Sequence, residues 1–308
     1  VTVETWFTNY QKEARKMFRG VFTAIVTPFT EDGRVDDETM RRLIDFNIVG
    51  GATGIVPCGT TGESPTLSHP EHDHVIEMTV EHVNGRVPVI AGTGSNCTRE
   101  AIRLTRHAEE VGVDGVLLVN PYYNKPTQEG LYLHFRAIAE SVEIPCIIYN
   151  IKGRTGVNVE TDTLMRLIAD CDNIAGVKEA SGNIDQIREV ISRRPNGFSV
   201  LSGDDNITLE LIRSGGDGVV SVASNLVPDR MTALVQAALA GDFETARAVD
   251  RELAPLFEAE FVETNPIPIK YMLSLKGMCQ EVYRLPICEL RPENKARVRQ
   301  VMETMGLL

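Results

Sequence analysis

Residues 115–149, GVLLVNPYYNKPTQEGLYLHFRAIAESVEIPCIIY, hold one complete structural unit. It opens on a continuous apolar run, Gly115–Val119, too short for a core helix and patterned like a strand buried on both faces. A polar, proline-containing loop follows. Leu131, Phe135, Ile138 and Val142 then recur at helical spacing, and Pro145 closes that stripe before a second apolar run, Pro145–Tyr149. Strand, helix and strand in roughly 30 residues make the βαβ unit of a parallel sheet.

The unit repeats in both directions. Val21–Thr27, Gly54–Cys58, Val87–Ala91, Ile174–Lys178, Ser199–Ser202 and Gly218–Ser221 complete a set of eight expected strands. Helix signals fall between them. Asp36 is placed to cap a helix whose Met40, Leu43, Ile44 and Ile48 share a face, and Ser68 with Glu71 has capping-box spacing. Thr98 precedes Ala101, Leu104, Ala108 and Val111, with Gly112 as the stop. Asn183 is placed to cap Ile184, Ile187 and Ile191, and Pro228 suits the start of the eighth helix. Eight strand–helix units in succession predict a closed (β/α)8 TIM barrel. An open doubly wound sheet is the alternative, but no G-x-G-x-x-G follows the first strand. Beyond residue 240 the pattern is helical only. The expected organisation is an N-terminal extension over 1–16, a barrel over 17–240 and a helical segment over 241–308.

Bulk properties narrow the function. The 308 residues, 43% hydrophobic, suffice for one large core, and a net charge of −12 disfavours nucleic acid or acidic membranes as partners. No apolar run reaches the ~18 residues of a membrane span. The six cysteines show no C-x-x-C spacing, as expected of reduced thiols in a cytoplasmic protein.

In a barrel, chemistry sits where the strands end. Lys178 ends an apolar run, where desolvation favours the free amine that attacks carbonyls. Tyr149 ends the neighbouring strand and can move protons, with Thr60 and Tyr123 completing a hydrogen-bonded relay. The Gly59-Thr60-Thr61-Gly62 turn offers converging N–H and hydroxyl donors for a carboxylate, and the planar fork of Arg154 suits another. Each has a plainer reading: a lysine snorkelling, tyrosines packing, a tight turn, a surface arginine. The combination at adjacent strand ends is what points to a Schiff-base lyase. His69, His72 and His74 crowd one helix start without H-E-x-x-H, so no metal is expected. Asp204-Asp205 reads as a helix N-terminus, and G-x-S-x-G is missing.

From Gly20 to Leu308 the chain resembles the dihydrodipicolinate synthases, in the class I aldolase superfamily that includes N-acetylneuraminate lyase. The resemblance rests on Thr23–Pro28, Gly59–Ser64, Ala91-Gly92-Thr93-Gly94, Pro121–Asn124, Gly176-Val177-Lys178-Glu179-Ala180, Ser202–Asp205 and Asn265-Pro266-Ile267-Pro268. It implies an imine between Lys178 and pyruvate, with Tyr149, Thr60 and Tyr123 as the relay, Tyr123 reaching in from a neighbouring subunit. Thr61 would hold the pyruvate carboxylate and Arg154 that of L-aspartate-4-semialdehyde, while Gly203 and Val220 line the pocket. No metal or organic cofactor is implied, since the protonated imine is the electron sink. A homotetramer, a dimer of dimers, is expected.

Ser64, His69, His72, Asn96, Glu100 and Tyr122 match positions that bind inhibitory L-lysine in some members. Pro65, replacing a small residue there, removes an N–H and is expected to weaken or reshape that site. A second departure is Tyr149-Asn150-Ile151-Lys152-Gly153-Arg154, where relatives carry Tyr-Asn-Val-Pro-Ser-Arg; a more flexible loop is expected. The competing readings are a lyase acting on 2-keto-3-deoxy sugar acids or sialic acid, and a catalytically silent barrel binding an oxo acid or lysine.

Overall fold

The computed structural model describes residues 18–308; the extension expected over 1–16 lies outside the described residues. Eight parallel strands follow one another as β1 (Gly20–Ala24), β2 (Gly54–Val56), β3 (Ile90–Gly92), β4 (Gly115–Val119), β5 (Cys146–Asn150), β6 (Ile174–Glu179), β7 (Ser199–Ser202) and β8 (Gly218–Ser221). Ladders run in the order β2-β1-β8-β7-β6-β5-β4-β3. The ring closes between β2 and β3, where Ile55 N–H donates to Pro88 O at 3.0 Å and Gly92 N–H to Pro57 O at 2.9 Å. This is the TIM barrel read from the repeat.

The helices are α1 (Asp37–Val49), α2 (His69–Val83), α3 (Thr98–Glu110), α4 (Gln128–Ala139), α5 (Lys152–Thr155), α6 (Thr161–Asp170), α7 (Ile184–Arg193), α8 (Thr208–Arg213) and α9 (Pro228–Leu239). Asp36 accepts from Thr39 N–H, Ser68 and Glu71 form a reciprocal capping box, and Asn183 accepts from Asp185 and Gln186 N–H. Three strands differ from expectation by two or more residues, β2 among them, ending at Val56 and not Cys58. β3 starts at Ile90, because Pro88 has no N–H and Val89 N–H is taken by the Asp114 carboxylate. β1 ends at Ala24, and Val26 N–H turns to the Asn225 side chain.

Strand alternation divides the core. Val21, Ile25, Cys146 and Ile148 pack outward under the helices, and Phe22, Ala24, Val56, Leu117, Ile147, Leu201 and Val220 fill the barrel. β6 breaks the alternation: pairing passes from Cys146↔Ile174 directly to Ile147↔Gly176, so Ala175 is the extra residue of a bulge. With Ala175 taken up by the bulge, Lys178 faces inward opposite Tyr149. Gly176 has no alternative there, since a Cβ would stand 2.9 Å from Ser199 O.

After the barrel come α10 (Phe243–Ala259), α11 (Ile267–Leu275) and α12 (Pro292–Thr304). α10 packs on α8 and α9, and the Asn265–Lys270 stretch returns to the C-terminal mouth of the barrel. Among the described residues no helix is long and apolar enough to cross a membrane.

Candidate active site

The mouth of the barrel holds a cavity lined by Thr60, Thr61, Tyr149, Arg154, Lys178, Gly203, Asp204, Val222, Phe261 and Asn265. Lys178 is 6% exposed, and its Nζ lies 4.1 Å from the centre of the Tyr149 ring. Burial is the main cause of its pKa falling to about 8; Arg154 adds to the fall, while Asp204 and Asp205 oppose it. The amine is therefore available near neutral pH. Gly203 makes room for it: a Cβ at 203 would stand 3.1 Å from Lys178 Cε and 2.7 Å from Ala180 Cβ.

Tyr149 is as buried as Lys178. Burial, and next the charge of Asp204, push its phenol well above the ordinary tyrosine value, so it stays protonated; the Thr60 hydroxyl hydrogen-bonds to it. A protonated phenol beside a neutral amine can give a proton and take one back without titrating. Thr61 is fixed from outside the barrel, its Oγ1 accepting from Asn265 Nδ2 at 3.0 Å. Arg154 lies on the cavity wall, with Nη2 donating to Asn265 O at 3.2 Å. The loop expected to be flexible is the single helical turn α5, in which Thr155 N–H donates to Ile151 O and Gly156 N–H to Lys152 O. Lys152-Gly153 supplies that turn and sets the arginine on it.

Not every candidate converges here. Tyr123 is 90% exposed and held at φ 73, a backbone conformation unusual for a bulky side chain. Its loop is braced by polar contacts: Asn96 Nδ2 donates to Tyr122 O at 3.2 Å and Asn124 Nδ2 to Asn96 O at 2.9 Å. Val220 belongs to the packed interior, and Val222, just past the end of β8, lines the cavity instead. The Asp204-Asp205 pair does not cap its own helix. The Asp205 carboxylate accepts from Val222 and Ala223 N–H at 2.8 and 3.0 Å, tying β7 to the turn after β8. Asn265 and Phe261 come from the helical segment; the motif Asn265-Pro266-Ile267-Pro268 signals the first, and nothing in the sequence signals the second.

A wider cleft of about 390 Å³ runs from Thr60, Tyr149 and Arg154 to Ser64, Pro65, His69, His72, Glu100 and Tyr122, with Asn96 beside it. The Glu100 carboxylate accepts from the Ser95 hydroxyl and meets His69 Nε2 at 2.9 Å; these contacts hold its pKa below the usual range, Ser95 contributing most. His72 is buried with Nε2 on Gly92 O at 2.9 Å, and burial lowers its pKa.

The chain is 55% identical to the 4-hydroxy-tetrahydrodipicolinate synthase of Syntrophus aciditrophicus over 292 residues, covering 95% of this chain and all of the relative. It superimposes on the crystal structure of dihydrodipicolinate synthase from Aquifex aeolicus with a TM-score of 0.93 at 50% identity, covering 94% and 99% of the two chains. It is also similar to a dihydrodipicolinate synthase of Cyanidioschyzon merolae solved with lysine bound, with a TM-score of 0.92 at 41% identity and coverage of 94% and 99%. The model of the dihydrodipicolinate synthetase family matches residues 17–305. With that match over nearly its whole length, the chain belongs to the dihydrodipicolinate synthetase family.

Proposed function

We propose that the chain condenses pyruvate with L-aspartate-4-semialdehyde to 4-hydroxy-tetrahydrodipicolinate, through a Schiff base on Lys178. The buried, deprotonation-prone Lys178 against the Tyr149 ring carries this reading. The neutral amine adds to the pyruvate ketone. Tyr149, hydrogen-bonded to Thr60, returns the proton needed to expel water and leave a protonated imine. That cation accepts the electron pair when the pyruvate methyl loses a proton, and the resulting enamine attacks the aldehyde. The amine of the semialdehyde then adds to the imine carbon, closing the ring and releasing Lys178. Thr61 holds the pyruvate carboxylate and Arg154 the second one, a need that a neutral polyol tail would not create.

Tyr123 completes the relay from a partner subunit, within a dimer of dimers. Support comes from an aromatic side chain presented to solvent by a braced loop. The wider cleft takes L-lysine as an inhibitor, its ammonium on Glu100, supported by the lowered Glu100 pKa and by the lysine-bound relative. A cytoplasmic location goes with this reading; the six cysteines are free, as a reducing compartment keeps them. The test is to treat the protein with pyruvate and borohydride and locate the adduct by mass spectrometry. Trapping at Lys178 is expected. Trapping at another lysine, or none, refutes the mechanism. Turnover of a keto-deoxy sugar acid in preference to the semialdehyde would instead reassign the substrate.

A further inference from the structure

Behind the Thr60-Thr61 turn lies an ion pair from which water is fully excluded. Lys270 Nζ stands 2.6 Å from Glu63 Oε1, and both side chains are 0% exposed. The ammonium also donates to Val282 O at 2.7 Å and sits over the rings of Phe29 and Tyr283, at 4.3 and 5.3 Å. The second Glu63 oxygen accepts from Arg284 N–H at 3.4 Å. Arg284 in turn donates to Gly33 O, Thr66 O and the Glu71 carboxylate. Glu63 belongs to the catalytic turn, and everything it grips, from Lys270 to Arg284, belongs to the segment after the barrel.

Stability alone is a poor reason for this arrangement. Desolvating two charges costs several kcal/mol per ion, and a well-packed apolar pair often does as well or better. What an ion pair adds is direction. Glu63 has φ 52 and ψ 33, a left-handed conformation that a side-chain-bearing residue adopts only under strain. Its N–H donates to Thr60 O at 3.1 Å, Ser64 N–H donates to Gly59 O at 3.3 Å, and Thr27 Oγ1 donates to Gly62 O at 2.6 Å. The backbone at Glu63 therefore closes the turn, and its conformation decides where Thr60 and Thr61 point.

We propose that the buried Glu63–Lys270 pair is a positioning device, which holds the Thr60-Thr61 donors toward the cavity where the carboxylate of the 2-oxo acid binds. The inference rests on the Schiff-base reading above, which assigns that carboxylate to Thr61. It makes the post-barrel segment part of the active site, with Lys270 acting through Glu63 and never touching substrate.

The test uses the full chain carrying Glu63→Gln together with Lys270→Met, which removes both charges and leaves no unpaired one. Pyruvate is titrated under cyanoborohydride, following the Lys178 adduct, alongside a denaturant melt. The expected result is a protein at least as stable as the parent, whose half-saturating pyruvate concentration rises about tenfold or more while the plateau trapping rate stays within about threefold, because misplacing donors weakens binding before it touches the amine. Half-saturation within twofold of the parent, in a folded double variant, overturns the positioning role. If the double variant does not fold, Lys270→Gln decides, since it keeps one N–H donor for Glu63 and should give an intermediate rise. Failure of both to fold would assign the pair to stability alone and overturn the proposal. Absence of adduct in the parent protein is a different outcome: it sinks the Schiff-base reading and the inference with it.

Discussion

The pH dependence of imine formation tests the physical core of the mechanism. Lys178 is lowered from 10.5 to about 8, mainly by burial. A shift of that size corresponds to roughly 3 kcal/mol against the ammonium, so about one side chain in eleven is a free amine at pH 7, against about one in three thousand unperturbed. Burial thus raises the reactive fraction some 300-fold. The perturbation is Asp204→Asn, because Asp204 is the foremost charge opposing the shift. Removing it should move the titration further down. The assay is the initial rate of adduct formation with saturating pyruvate and cyanoborohydride, measured from pH 6 to 10.5. In the parent the rate should rise to a plateau with a midpoint near 8, and Asp204→Asn should shift that midpoint downward and speed trapping at pH 7. A parent midpoint near 10, or an upward shift in the variant, would refute the claim that desolvation activates the lysine.

Three further outcomes follow from the same geometry. Lys178→Met should abolish trapping yet raise stability by up to ~3 kcal/mol below pH 8. A depressed folded pKa penalises the folded state at low pH, so denaturant melts should show the gain fading as pH approaches 10.5. Gly203→Ala would crowd Ala180 and Lys178 and should cost ~1–3 kcal/mol while slowing trapping at least about tenfold; unchanged trapping would show that the lysine arm does not need that space. Glu260 is fully buried, with no hydrogen bond to either carboxyl oxygen among the described residues, and burial, then Asp205, hold its pKa well above 4.5. The folded chain keeps that proton more tightly, so parent stability should fall as pH rises above the ordinary carboxyl value, and less so in Glu260→Leu. Parallel stability–pH curves would count against a buried neutral acid.

The barrel was legible because strands covered on both faces leave uninterrupted apolar runs, and Gly, Pro and capping residues punctuate them. Asp36, Ser68 and Asn183 cap as read, since a cap depends on local sequence alone. Lys178, Tyr149, Thr60, Thr61, Arg154 and Gly203 fall on one cavity because strand ends share a rim. What depends on distant packing was not legible. Lys270 and Glu260 lie in a helical segment, where a charged residue ordinarily reads as surface, yet both are fully buried. Asn265 braces Thr61 across 204 positions of sequence. Val222 takes the place expected of Val220 at the wall because β8 ends at Ser221 and the turn after it reaches the cavity, an end point that apolar patterning does not encode.

The bulge at Ala175 governs parity. An inward or outward aim is a binary property of a strand position, and one extra residue reverses it for everything downstream unless a bulge takes that residue up. Were Ala175 paired regularly instead of bulged out, every chemical group in the chain would remain, yet Lys178 would turn to the helix side and Val177 to the cavity. Two barrels of equal composition and nearly equal core volume would then differ in whether they own a nucleophile. In this chain, catalytic competence is encoded by the register in which residues pair as much as by their identity.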